Sequence, residues 1–108
     1  MKNTLKVIIF IGTRPEAIKL APVIEQLDAL EQCCVTVCST GQHETMLQQV
    51  LTQFNITVDF SFDVMTENQT LNALSSIMLG QIDELLQSEQ PDWVIVQGDT
   101  TTAMIAAL

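Results

Sequence analysis

The chain has no lysine or arginine after Lys19. Its four basic residues, Lys2, Lys6, Arg14 and Lys19, face thirteen acidic ones, giving a net charge of −9 over 108 residues. So acidic a chain argues against nucleic acid and against an anionic membrane as partners. No apolar run reaches the length of a transmembrane helix. Met1 to Phe10 is strand-like and carries no signal-peptide cleavage pattern, so a cytoplasmic location is expected. Cysteine is scarce: Cys33, Cys34 and Cys38 are odd in number and lie on one segment. Neighbours on a strand point to opposite faces, so reduced, buried thiols are expected rather than a disulfide. A zinc site would need a second ligand pair, which the single histidine, His43, does not supply, so no metal is expected. Linkers, low-complexity tracts and repeats are missing as well. The length leaves room for one domain at most.

What is present begins with the apolar run Val7-Ile8-Ile9-Phe10-Ile11. It suits a strand buried on both faces, as in a parallel sheet. Gly12 breaks the run, and Pro15 is pre-set for the first turn of a helix. Such a strand–turn–helix junction collects free N–H groups and a positive helix end, which suits an anion. Arg14 adds a bidentate fork for phosphate or carboxylate, and Lys19 adds a point charge. The alternative is that both are surface charges paired with Glu16 or a nearby Asp, because Gly-x-Arg-Pro by itself is no phosphate signature.

Further along, Ala17, Leu20, Ala21, Ile24 and Leu27 share one helical stripe, and Pro22 inside it predicts a kink that separates the first turn. Cys34 to Cys38 reads as a second strand, followed by a short helix with Met46, Leu47, Val50, Leu51 and Phe54. His43 precedes that helix, either hydrogen-bonded to backbone or facing a ligand. Val58, Phe60, Phe62 and Val64 alternate with polar residues, which predicts an edge strand wet on one face. Leu71, Leu74, Met78, Leu79, Ile82, Leu85 and Leu86 mark a long helix capped by Thr70 or Asn68. Trp93 to Val96 is a further buried strand, ended by Gly98-Asp99-Thr100-Thr101-Thr102, and a helix begins at Ala103.

Alternating strands and helices imply an α/β fold: a three-layer, Rossmann-like, doubly wound parallel sheet. With the alternating strand at the edge, the strand order is 3-2-1-4. Ligands in such sheets bind at the point where the order reverses, outside the strand carboxyl ends. That crevice has Arg14 on one side and Asp99 on the other. Asp99 suits a helix N-cap and also a general acid or base, and the two roles can coexist.

Three stretches also carry a resemblance: Gly12-Thr13-Arg14-Pro15-Glu16-Ala17-Ile18-Lys19 with Ala21-Pro22, then Gly41-Gln42-His43-Glu44-Thr45-Met46-Leu47, then Gly98 to Thr102. In this order and spacing they resemble the non-hydrolysing UDP-N-acetylglucosamine 2-epimerases. The resemblance implies a GT-B enzyme of two Rossmann-like domains, of which residues 1–108 form the N-terminal part of the first. It implies interconversion of UDP-N-acetylglucosamine and UDP-N-acetylmannosamine by elimination and re-addition of UDP, with no metal or nicotinamide cofactor. It further implies a homodimer when full-length, and service to cell-surface polysaccharide synthesis. Arg14 and Lys19 match substrate contacts that hold the nucleotide sugar and its departing diphosphate, and Asp99 matches a substrate contact that acts in proton transfer. Gln42 and His43 match cleft or effector contacts. Thr45 stands where activated bacterial members often have Gln, and Asn68 where they have Arg, which removes a phosphate ligand from an activator site.

Two other classes remain open. A GT-B glycosyltransferase would share the fold and a nucleotide-sugar donor, though the Gly12–Lys19 motif favours the epimerase. A non-catalytic receiver-type domain would need an acidic cluster where this chain has Thr13-Arg14. With a single wall of the crevice, the 108-residue chain alone is expected to be inactive.

Overall fold

A computed structural model describes residues 4–40, 45–62 and 70–97. Its elements alternate strand and helix: β1 (Leu5–Ile11), α1 (Arg14–Asp28), β2 (Cys33–Ser39), α2 (Thr45–Gln53), β3 (Phe60–Ser61), α3 (Leu71–Glu89) and β4 (Trp93–Ile95). All strand pairs are parallel, and the sheet order is β3-β2-β1-β4, as the hydrophobic patterns predict.

β1 is central, so both its faces are covered. Val7, Ile9 and Ile11 pack with Ala17, Leu20 and Ile24 of α1 and Leu47, Val50 and Leu51 of α2. Ile8 and Phe10 point the other way, onto Met78, Ile82 and Leu85 of α3. Helices thus cover both faces of the sheet, the three-layer arrangement, and the strand's unbroken apolar run has its physical cause in that double burial.

The structure departs from expectation in five places. α1 runs unbroken through Pro22. Pro22 and Ile18, whose carbonyl loses its donor, both lie on the exposed side, where water can take the freed group. The edge strand shrinks to two residues: Val58 packs with the α1–α2 side and Phe62 with the α3 side, while Phe60 is partly exposed. Asp59 explains the late start, because its carboxylate takes the Val37 N–H at 2.9 Å while its own N–H bonds the Val37 carbonyl at 2.9 Å. Leu79 is 42% exposed, one position off the buried stripe of α3. Trp93 is 63% exposed, because β4 is outermost among the described strands while β1 holds the centre. Among the cysteines only Cys38 is buried; Cys33 is half-buried and Cys34 exposed, all three as free thiols.

The helix ends are capped by local chemistry. Thr70 accepts the Ala73 N–H at 3.0 Å at the start of α3. Gln90 closes that helix in the left-handed region at φ 47°, its N–H on the Leu86 carbonyl. Asn55, at φ 56°, does the same for α2, with the Ile56 N–H on the Leu51 carbonyl at 2.8 Å; asparagine tolerates that region better than most residues.

Candidate functional site

The turn from β1 into α1 is built from Gly12 to Glu16. Thr13 is the N-cap, extended at φ −138°, ψ 166°, and Pro15 lies in the first turn. Thr13-x-x-Glu16 has the spacing of a capping box, in which the hydroxyl accepts the N–H of the third helical residue. Here the contacts are inverted. The Thr13 hydroxyl donates to Glu16 Oε2 at 2.9 Å, and Glu16 Oε1 takes the Gly12 N–H at 2.8 Å. Thr13 makes no side-chain cap, so the first-turn N–H groups of Arg14 and Glu16 receive none from it. The positive end of α1 thereby keeps donors for an incoming anion.

Glu16 is only 2% exposed. Its inward course settles one alternative left open by the sequence: Glu16 pairs with neither Arg14 nor Lys19. Both cations are exposed, and neither forms an ion pair with a carboxylate among the described residues. Lys6, in contrast, pairs with Glu89 at 3.0 Å on the opposite end of the sheet.

The floor beside the turn is made by the next strand. Thr40 N–H bonds the Ile11 carbonyl at 2.9 Å, drawing the exit of β2 against the exit of β1. Ser39 is paired in register with Ile11, and its hydroxyl is buried with no hydrogen-bond partner among the described residues. On the other side, β4 pairs with β1 and leads toward Gln97. Sheet order therefore reverses at β1, with Arg14 at the reversal. Asp99, Gln42, His43 and Asn68 lie outside the described residues, as do Val64 and the helix expected from Ala103; of Thr45 only its place at the head of α2 is described.

Two features of this region were not read from the sequence: the turn-holding role of Glu16 and the buried hydroxyl of Ser39. Glu16 had a signal, the Thr-x-x-Glu spacing just before an apolar stripe. Ser39 had none, because its isolation depends on what packs around it. Among the described residues no group of three His, Cys, Asp or Glu side chains could hold a metal ion, and no helix is long and apolar enough to cross a membrane.

A doubly wound parallel sheet with an uncapped, cationic helix start at its switch point defines a Rossmann-like domain suited to a phosphorylated ligand. The family profile of UDP-N-acetylglucosamine 2-epimerase matches residues 25–108. The Bacillus subtilis UDP-N-acetylglucosamine 2-epimerase is 45% identical over 104 residues, covering 96% of this chain and 27% of that protein. A crystal structure of UDP-N-acetylglucosamine 2-epimerase superposes with a TM-score of 0.90 at 44% identity, covering 96% of this chain and 29% of that one. The Neisseria meningitidis enzyme, solved bound to UDP-GlcNAc, gives 0.88 at 42% identity, over 95% and 28% of the two chains. The chain belongs to the UDP-N-acetylglucosamine 2-epimerase family. It spans little more than a quarter of the length of these relatives, and over that span it shares their α/β fold.

Proposed function

We propose that residues 1–108 are the N-terminal part of the first Rossmann-like domain of an enzyme that interconverts UDP-N-acetylglucosamine and UDP-N-acetylmannosamine. The observation that carries this reading is the turn at the head of α1, with exposed Arg14 beside first-turn N–H groups that Thr13 does not cap. Family membership and a relative solved with UDP-GlcNAc support the same ligand here.

In the reaction the proton at C2 of the sugar is removed and the C1–O bond to UDP breaks. The electron pair of that bond leaves with UDP, and a C1–C2 double bond remains in the glucal. UDP oxygen then re-bonds C1 while a proton arrives at C2 with the other stereochemistry, so the net change is an isomerisation. Arg14 offers a planar fork to the diphosphate and Lys19 a second charge. Both matter most as the bridging oxygen takes on charge. Asp99 is assigned to the proton transfer at the sugar. Gln42 and His43 are assigned to the cleft or to effector binding. No metal or nicotinamide takes part. The full-length enzyme is a cytoplasmic homodimer that supplies cell-surface polysaccharide synthesis. This chain alone does not epimerise, because the rest of the cleft comes from outside it.

The test is UDP-N-acetylglucosamine incubated in heavy water with the full-length protein. Deuterium at C2, together with UDP-N-acetylmannosamine, is expected. Sugar transfer to an acceptor without exchange at C2 would instead identify a glycosyltransferase.

A further inference from the structure

We propose that Glu16 is a positioning residue for diphosphate binding, acting through Arg14 and the head of α1. The inference rests on the proposed function and deepens it. Glu16 carries no contact to solvent that would explain a charged side chain there: it is 2% exposed. A carboxylate so buried is costly unless its oxygens are bonded, and here both are, one to the Gly12 N–H and one to the Thr13 hydroxyl.

An ordinary capping box would serve stability alone by turning the threonine oxygen onto the helix N–H groups. In this turn Glu16 reaches past the N-cap to the residue before it, and the threonine hydroxyl is drawn inward as a donor. Two consequences follow. The Gly12 backbone and the Thr13 side chain are tied to the two oxygens of one carboxylate, which fixes the turn immediately before Arg14. The negative charge favours the helix start through the macrodipole while leaving the outward N–H groups to a ligand. Gly12 is itself buried, so the tie sits beneath the turn.

The experiment measures UDP affinity by calorimetry, KM and kcat for UDP-N-acetylglucosamine, and melting, all on the full-length protein. The variants are Glu16→Ala, Glu16→Gln, Arg14→Lys and the Glu16→Ala/Arg14→Lys double. Glu16→Ala is expected to weaken UDP binding and raise KM by about tenfold per folded molecule, with a smaller change in kcat. Glu16→Gln is expected to restore most of it, because the amide oxygen still accepts the Gly12 N–H and the amide nitrogen can donate to Thr13 Oγ1. The double variant should be no weaker than the weaker single variant, since both act on one contact. Should Glu16→Ala not fold, Thr13→Val removes one of the two ties, and a loss of UDP affinity of about threefold is then expected. Wild-type affinity in folded Glu16→Ala, or in Thr13→Val where Glu16→Ala does not fold, or strictly additive losses in the double variant, would overturn the proposal. A wild type that neither binds UDP nor epimerises overturns the functional reading itself. Loss in Arg14→Lys with none in Glu16→Ala overturns the positioning alone.

Discussion

Lys6 and Asp92 hold each other twice: the Lys6 N–H donates to the Asp92 carboxylate at 2.8 Å, and the Asp92 N–H donates to the Lys6 carbonyl at 2.8 Å. Val37 and Asp59 repeat the device at the start of β3. In each case an aspartate just before a strand pairs with the neighbouring strand, which sets the register before the ladder begins. For β4 that register aligns Trp93 with Val7 and Ile95 with Ile9.

Asp92→Ala should therefore lower stability by about 1 kcal/mol, because one hydrogen bond to a charged acceptor is lost at an exposed site. Asp92→Asn keeps an acceptor and should recover most of the loss. Urea denaturation of the three proteins decides it, and equal midpoints would show that the pairing contributes nothing.

Arg14→Lys keeps the charge and removes the planar fork. In the full-length enzyme it should reduce kcat/KM by the equivalent of about 1.5–3 kcal/mol, the range for charge-assisted contacts. Steady-state kinetics identical to wild type would remove Arg14 from the phosphate site.

Asp99→Asn should abolish most turnover while leaving the melting temperature nearly unchanged, since asparagine caps a helix about as well as aspartate but does not titrate. A protein that melts early yet turns over normally per folded molecule would make Asp99 a cap alone.

Ser39→Ala should leave stability within about 1 kcal/mol of wild type, or raise it, because the hydroxyl it removes is buried and unpartnered. A large loss in thermal denaturation would contradict the isolation of that hydroxyl.

The cysteines should separate by burial. Cys34 should react first with a thiol reagent at neutral pH, and Cys38 only on unfolding. Burial pushes the Cys38 thiol from 9.0 up to about 12. Its folded form thus keeps the proton while the unfolded chain loses it. The contribution is intact below pH 9.0 and is lost as pH rises toward about 12, at a limiting slope of about 1.4 kcal/mol per pH unit. Denaturation of wild type and Cys38→Ala across this window tests it: the variant should show the shallower decline.

The sequence by itself determined the sheet. Five successive apolar residues from Val7 to Ile11 demand cover on both faces, the alternation from Val58 marks an edge, and strand–helix alternation with right-handed crossovers then gives the order 3-2-1-4. It also placed Arg14 and Lys19 at the head of a helix, because Gly12 and Pro15 act locally. Tertiary structure alone decided how much of each pattern was used. Trp93 has the apolar character of a core strand, yet it is exposed because β4 has a neighbour on one side only among the described strands. Leu79 matches its helix in composition but faces away from the sheet. Pro22 does not break α1, because Pro22 and Ile18, whose carbonyl it deprives, both lie on the exposed side of the helix. Above all, whether Glu16 would answer the charge of Arg14 or turn inward to Gly12 was settled by the space beneath the turn. Local spacing permits both, and only the packed sheet below makes the inward hydrogen bonds the better ones.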